Sequence, residues 1–91
     1  MRLESKIQTE ILDYLKPRGF AYKHEPVPTG IPDIHFIPKK GKKNYWFEVK
    51  RSASHKPSEI QLYIHKKLRA VGDKVYVVWS LDMVKNVLSK T

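Results

Sequence analysis

Cysteine is absent from the 91 residues, which excludes disulfide staples and thiolate metal sites and leaves folding to a hydrophobic core. Long apolar runs are missing as well. No stretch approaches the ~18 residues that would cross a bilayer, and no basic amphipathic helix carries a broad aromatic face, so no membrane role is expected. No signal-peptide pattern opens the chain, and the expected location is cytoplasmic. Acidic residues are scarce: nine Asp and Glu stand against 18 Lys and Arg, a formal charge of +9. Such an excess suits a polyanion, because phosphate contacts from Lys and Arg release counterions and supply much of nucleic-acid affinity. The four histidines, His24, His35, His55 and His65, lack zinc-ligand spacing, so a His-metal site is not expected.

What remains is enough for one small domain over residues 1–91, with 41% hydrophobic residues to build a single core. Leu3, Ile7, Ile11, Tyr14 and Leu15 recur at helical spacing and predict an amphipathic helix over 3–16, stopped by Pro17 and Gly19. Phe20 to Glu25 is a short strand candidate; Pro26, Pro28 and Gly30 mark a loop into a strand that carries Asp33 to Ile37. Pro38 to Lys43 reads as a hairpin turn into a strand from Asn44 to Arg51, giving three antiparallel strands. After a polar loop, Pro57 fits the first turn of a second helix that runs to about Val71 and stops at Gly72. Its inward face is given by Ile60, Ile64, Leu68 and Val71, with Lys67 within it. Lys74 to Trp79 reads as a buried strand and Leu81 to Leu88 as a closing helix. The order αβββαβα is that of an α/β domain with helices flanking a central sheet.

Asp33, Glu48 and Lys50 are the candidate chemistry. Strand residues two apart share a face, so Glu48 and Lys50 project side by side, roughly 6.5 to 7 Å apart at Cα. Two carboxylates on adjacent strands suit Mg²⁺, which takes oxygen ligands, and a neighbouring lysine can orient water or offset charge on a reacting phosphate. Alone, Glu48 and Lys50 read better as a surface pair on an edge strand, worth only ~0 to 1 kcal/mol. The hairpin shifts that balance by bringing Asp33 to the same region. Glu4 falls inside the apolar stripe of the first helix, where a carboxylate needs a cation, a metal or water; a solvated first turn favoured by the helix dipole is the competing account. Gln61 has the spacing from Ser58 of a capping box, and the residues alone favour that role. Lys39, Lys40, Lys42 and Lys43 cluster at the hairpin tip, and Lys50, Arg51, Lys56, Lys66, Lys67 and Arg69 form a second basic group. Either could grip backbone phosphates beside the carboxylates, or simply keep the surface soluble. Trp46 and Tyr63 are expected in the core.

Read together, Glu4, then Gly30-Ile31-Pro32-Asp33, then Glu48-Val49-Lys50, then Gln61 resembles the PD-(D/E)XK nuclease superfamily. Within it the chain looks most like a minimal stand-alone VRR-NUC domain, the virus-type replication and repair nuclease group, along almost its whole length. A lone Glu-Val-Lys is a weak signal; the four pieces in this order are a strong one. The resemblance implies a restriction-endonuclease-like core with a mixed sheet. It also implies that Asp33, Glu48 and the Val49 carbonyl hold Mg²⁺ or Mn²⁺, with Glu4 completing the site. Lys50 would be the catalytic lysine and Gln61 would assist, in place of a purely capping role. It further implies a Holliday-junction-resolvase-like homodimer in a bacterial or phage-infected cell.

The leading expectation is therefore a Mg²⁺-dependent DNA endonuclease, selective for branched or four-way-junction DNA, with Lys39, Lys40, Lys42, Lys43, Arg51 and Lys56 as backbone contacts. The alternatives are an accessory subunit with a nuclease-like fold and a non-catalytic nucleic-acid-binding module. The opening order αβββα also describes a double-stranded RNA-binding domain, but that reading leaves the acids unexplained.

Overall fold

The computed structural model describes residues 3–24, 30–41 and 43–90. Apolar residues at helical spacing form α1 (Glu4–Leu15), which buries Ile7, Ile11 and Leu15. Pro17 then allows only a short 3-10 turn, Lys16–Arg18, before β1 (Gly19–Lys23). β2 (Ile34–Pro38) and β3 (Tyr45–Val49) follow, then α2 (Glu59–Ala70), β4 (Lys74–Val78) and α3 (Leu81–Ser89). The order is the one expected from the sequence. Among the described residues no helix is long and apolar enough to cross a membrane.

The four strands lie in the order β1-β2-β3-β4. β1–β2 and β2–β3 are antiparallel, while β3–β4 is parallel, the crossover being made by α2. Alternation along the strands divides the sheet into two faces. Ala21, Ile34, Phe36, Tyr45, Phe47 and Val49 point to one side, where α1 and Val84 of α3 close the core. Trp46 and Glu48 point to the other, which α2 covers only beside β3 and β4.

Several boundaries differ from the sequence expectation, each for a local reason. Asp33 is not in β2 but in the bend before it, because its side chain, and not its backbone, takes the Val49 N–H at 2.7 Å. Pro57 lies outside α2, whose start is fixed one residue later by a capping box between Ser58 and Gln61. α2 ends as expected: Gly72, at φ 97°, lets its own N–H reach Arg69 O and the Asp73 N–H reach Leu68 O.

The face of α2 is the larger correction. Ile60 and Val71 are exposed, Lys67 is exposed with its Nζ over the Tyr63 ring, and Tyr63 itself is 54% exposed. The buried residue of α2 is His65. A helix covering only half a sheet face needs a narrower stripe than the apolar residues of its sequence suggest. Trp46 is half-buried, stacked on His35 at 4.1 Å between centroids, and its Nε1 donates to Asp73 Oδ2 at 2.8 Å.

Candidate active site

The site is built where the C-terminal end of β3 meets the start of β2. The register that pairs Ile34 with Phe47 places Asp33 directly opposite Glu48. Gly30 is needed to bring Asp33 there. At φ 96° and buried, it passes so close to α2 that a Cβ would sit about 3 Å from Ile60 O and the Ile64 side chain. The Asp33 carbonyl accepts from the His24 N–H at 2.7 Å, tying this bend to the strand on its other side.

Glu48 is not a surface residue of an edge strand. β3 is interior, between β2 and β4, and Glu48 is 1% exposed. Its Oε2 accepts from Gln61 Nε2 at 3.2 Å, and its Oε1 accepts from His65 Nε2 at 3.3 Å. Lys50 stands just beyond the strand end, its side chain 14% exposed. Lys50 Nζ donates to Gln61 Oε1 at 3.1 Å and lies 3.9 Å from Glu48 Oε2. Glu48 and Lys50 thus share the face expected from their spacing.

Gln61 has both roles that its sequence position left open. Its Oε1 accepts from the Ser58 N–H at 2.8 Å and its N–H donates to Ser58 Oγ at 3.3 Å, completing the capping box. The same amide bridges Lys50 and Glu48. Ser58→Ala and Gln61→Ala should separate the two roles. Both are expected to cost about 0.5 to 2 kcal/mol in thermal unfolding, and only Gln61→Ala should also impair whatever Lys50 and Glu48 do.

The electrostatics are those of acids pressed together. Burial raises Asp33 to about 7, and the Glu48 charge adds to the rise, against the Val49 N–H and Lys50. Burial also raises Glu48; the Asp33 hydrogen bond and Lys50 oppose this, and the nearby charge of Glu4 reinforces it. Asp33 and Glu48 are therefore close enough to share a proton, and the charge of Glu4, half-buried in the first turn of α1, reaches Glu48. Two acids so placed are stable only with a proton or a cation between them.

His65 went unnoticed in the sequence as one of four scattered histidines. It is 0% exposed. Burial lowers its pKa, with Arg69 and Lys50 acting in the same direction and Asp33 against them, so the site disfavours the charged imidazolium. The signal was present: His65 lies four residues after Gln61, one helical turn along the same edge.

The basic residues divide. Arg51 and Lys56 are exposed in the loop that follows Lys50, on the carboxylate end of the sheet; Arg51 Nη2 meets His55 Nε2 at 3.0 Å. Lys39, Lys40 and Lys43 are exposed at the opposite end, around a cleft that Arg18, Lys74 and Lys90 also line. Lys39 is six steps along the chain from Asp33, with β2 between them, roughly 20 Å at 3.4 Å per residue. Lys42 lies outside the described residues. Val49 contributes its N–H to the site through Asp33.

No protein-family model matches the sequence, and no curated protein does. Solved structures do. A "VRR_NUC domain" superposes with a TM-score of 0.81 at 27% identity, covering 94% of this chain and 94% of that one. A "VRR_NUC domain protein" gives a TM-score of 0.81 at 18% identity, covering 97% of this chain and 86% of that one, a likeness of fold. That likeness of fold runs along nearly the whole length of the chain, and Asp33, Glu48, Lys50 and Gln61 are gathered at one place in it, so the chain is similar to stand-alone VRR_NUC domains in fold and in extent.

Proposed function

We propose that the chain is a divalent-metal-dependent DNA endonuclease that hydrolyses phosphodiester bonds and prefers branched DNA. The observation that carries this reading is the half-buried Asp33 directly opposite the buried Glu48, within reach of one shared proton and with Lys50 alongside. A fold gains nothing in stability by pressing such acids together; a hard cation gives them a purpose. The donor set fits Mg²⁺ or Mn²⁺, being carboxylate oxygens in a half-closed place. Among the described residues no three His, Cys, Asp or Glu side chains converge as a complete metal shell. Mg²⁺ takes one or two protein carboxylates and fills the rest of its sphere with water and substrate phosphate.

Asp33 and Glu48 would hold the ion, with Glu4 as the third acid and the Val49 carbonyl as the backbone ligand. When bound, the ion supplies Lewis-acid polarisation of the phosphoryl group. The chain's own residues do the rest. Gln61 fixes Lys50 Nζ beside Glu48, so that the amine can orient the attacking water and donate to the oxygens on which negative charge grows. Arg51 and Lys56 draw the backbone toward the carboxylates, and the lysines of the hairpin tip, about 20 Å away, engage a separate stretch of it.

A cleavage panel of four-way junction, flap, single strand and plain duplex, in Mg²⁺, Mn²⁺ or EDTA, tests this. Junction or flap is expected to be cut fastest, and none in EDTA. Equal rates on plain duplex remove the structural preference. Metal-independent binding without cleavage, weakened mainly by salt, favours the nucleic-acid-binding module.

We also propose a homodimer. Phe20, Tyr22 and Ile37 are exposed on the part of the sheet that α2 leaves uncovered, an apolar surface suited to burial. Sedimentation should give twice the 10.7 kDa chain mass, and Phe20→Glu should give one.

A further inference from the structure

Both oxygens of Glu48 are held from a single helix. Gln61 Nε2 takes Oε2 and, one turn on, His65 Nε2 takes Oε1. The two donors are the contacts through which α2 grips the buried acid of β3, and the apolar residues around them are largely exposed: Ile60, Leu62, Tyr63 and Val71. His65 is a poor choice for packing alone. It is wholly buried, and its Nδ1 has no hydrogen-bond partner, so what sets it apart from a leucine or methionine of similar volume is the donor that it gives to Glu48 Oε1.

We infer that His65 is a positioning residue: together with Gln61 it fixes the carboxylate plane of Glu48, so that Glu48 is oriented for a cation before one arrives. This rests on the metal-site reading above. Donors that lock a carboxylate ligand set metal affinity without touching the ion, and their loss costs roughly 10- to 100-fold. Gln61 cannot do this alone, because its Nε2 reaches only Oε2 of Glu48, whereas His65 holds Oε1.

The test is a calorimetric Mn²⁺ titration of the purified chain, its Asp33→Asn variant, His65→Leu and His65→Gln, with thermal unfolding of each in EDTA. Glutamine keeps a donor where His65 Nε2 stands; leucine does not. His65→Leu is expected to bind Mn²⁺ roughly 10- to 100-fold more weakly at a temperature where its unfolding curve shows it fully folded, and His65→Gln to stay within about threefold of the parent. Should His65→Leu fail to fold, His65→Met, flexible and without a donor, carries the same comparison. Unchanged Mn²⁺ affinity in the leucine or methionine variant overturns the inference. So does a leucine variant that loses affinity only in step with a fall in melting temperature that glutamine shares, which marks a structural role. If the parent binds Mn²⁺ no better than Asp33→Asn, the metal-site reading fails first, and that result is distinct from the other two.

Discussion

Asp33→Asn is expected to give a protein that, without metal at pH 8, is more stable than the parent and that no longer binds Mn²⁺. In the folded chain Asp33 titrates near 7, raised from 3.8 chiefly by burial and then by the charge of Glu48. The fold therefore favours the protonated acid. Stability that Asp33 contributes below about pH 4 is lost as pH rises through about 7, because folding then requires a buried carboxylate beside Glu48. Asparagine removes that charge, keeps an oxygen to accept the Val49 N–H, and offers Glu48 an amide donor. At pH 8 in EDTA the variant should gain at least about 1 kcal/mol, or roughly 4 to 8 °C in a domain of this size; at pH 3 to 4 the two proteins should melt alike. Saturating Mn²⁺ should reverse the order, since a ligand at 100 times its Kd stabilises the parent by about 2.7 kcal/mol and leaves the variant unmoved. A parent whose melting temperature is flat from pH 4 to 8, or a variant less stable than it at pH 8, would contradict this picture of the acids.

The second large effect is at Lys50. Lys50→Met removes the amine that Gln61 holds beside Glu48 and leaves the carboxylates in place. Single-turnover cleavage should fall by about 10²- to 10³-fold, the usual cost of losing one group aimed at developing charge. Mn²⁺ affinity should hold or rise, because a competing cation has gone from beside the ligands. That separation is the signature of a group acting on the reaction. Parallel loss of metal binding would instead make Lys50 a structural partner of Glu48.

Much of this arrangement was legible in the sequence, and the reasons are particular. Period-3.6 apolar residues placed α1, and turn chemistry at Gly41 and Gly72 separated the strands and ended α2. Because Asp33 and Glu48 sit at equal chain distance from a hairpin tip, their meeting follows from antiparallel pairing alone. The same logic puts the lysines of the tip at the far end from the acids, although their charge suggested a grip close by. The burial of β3 was harder to read. Glu48 and Lys50 looked like an edge-strand pair until β4, about 25 residues later in the chain, covered that edge by parallel pairing. α2 was misread because its apolar residues outnumber the places the sheet offers them: Ile60, Tyr63 and Val71 stay exposed while a histidine is buried. What α2 buries is decided by the acid beneath it, and hydrophobic periodicity carries no signal for that.

One measurement addresses directly whether Asp33, Glu48 and Lys50 form a working metal-dependent centre. Parent and Lys50→Met are incubated with the same labelled four-way junction at equal concentration, in Mg²⁺ and again in EDTA. Cleavage by the parent in Mg²⁺, abolished by EDTA and reduced by about 10²-fold or more in Lys50→Met, is the predicted result. Cleavage that survives EDTA, or that is the same in both proteins, would contradict it.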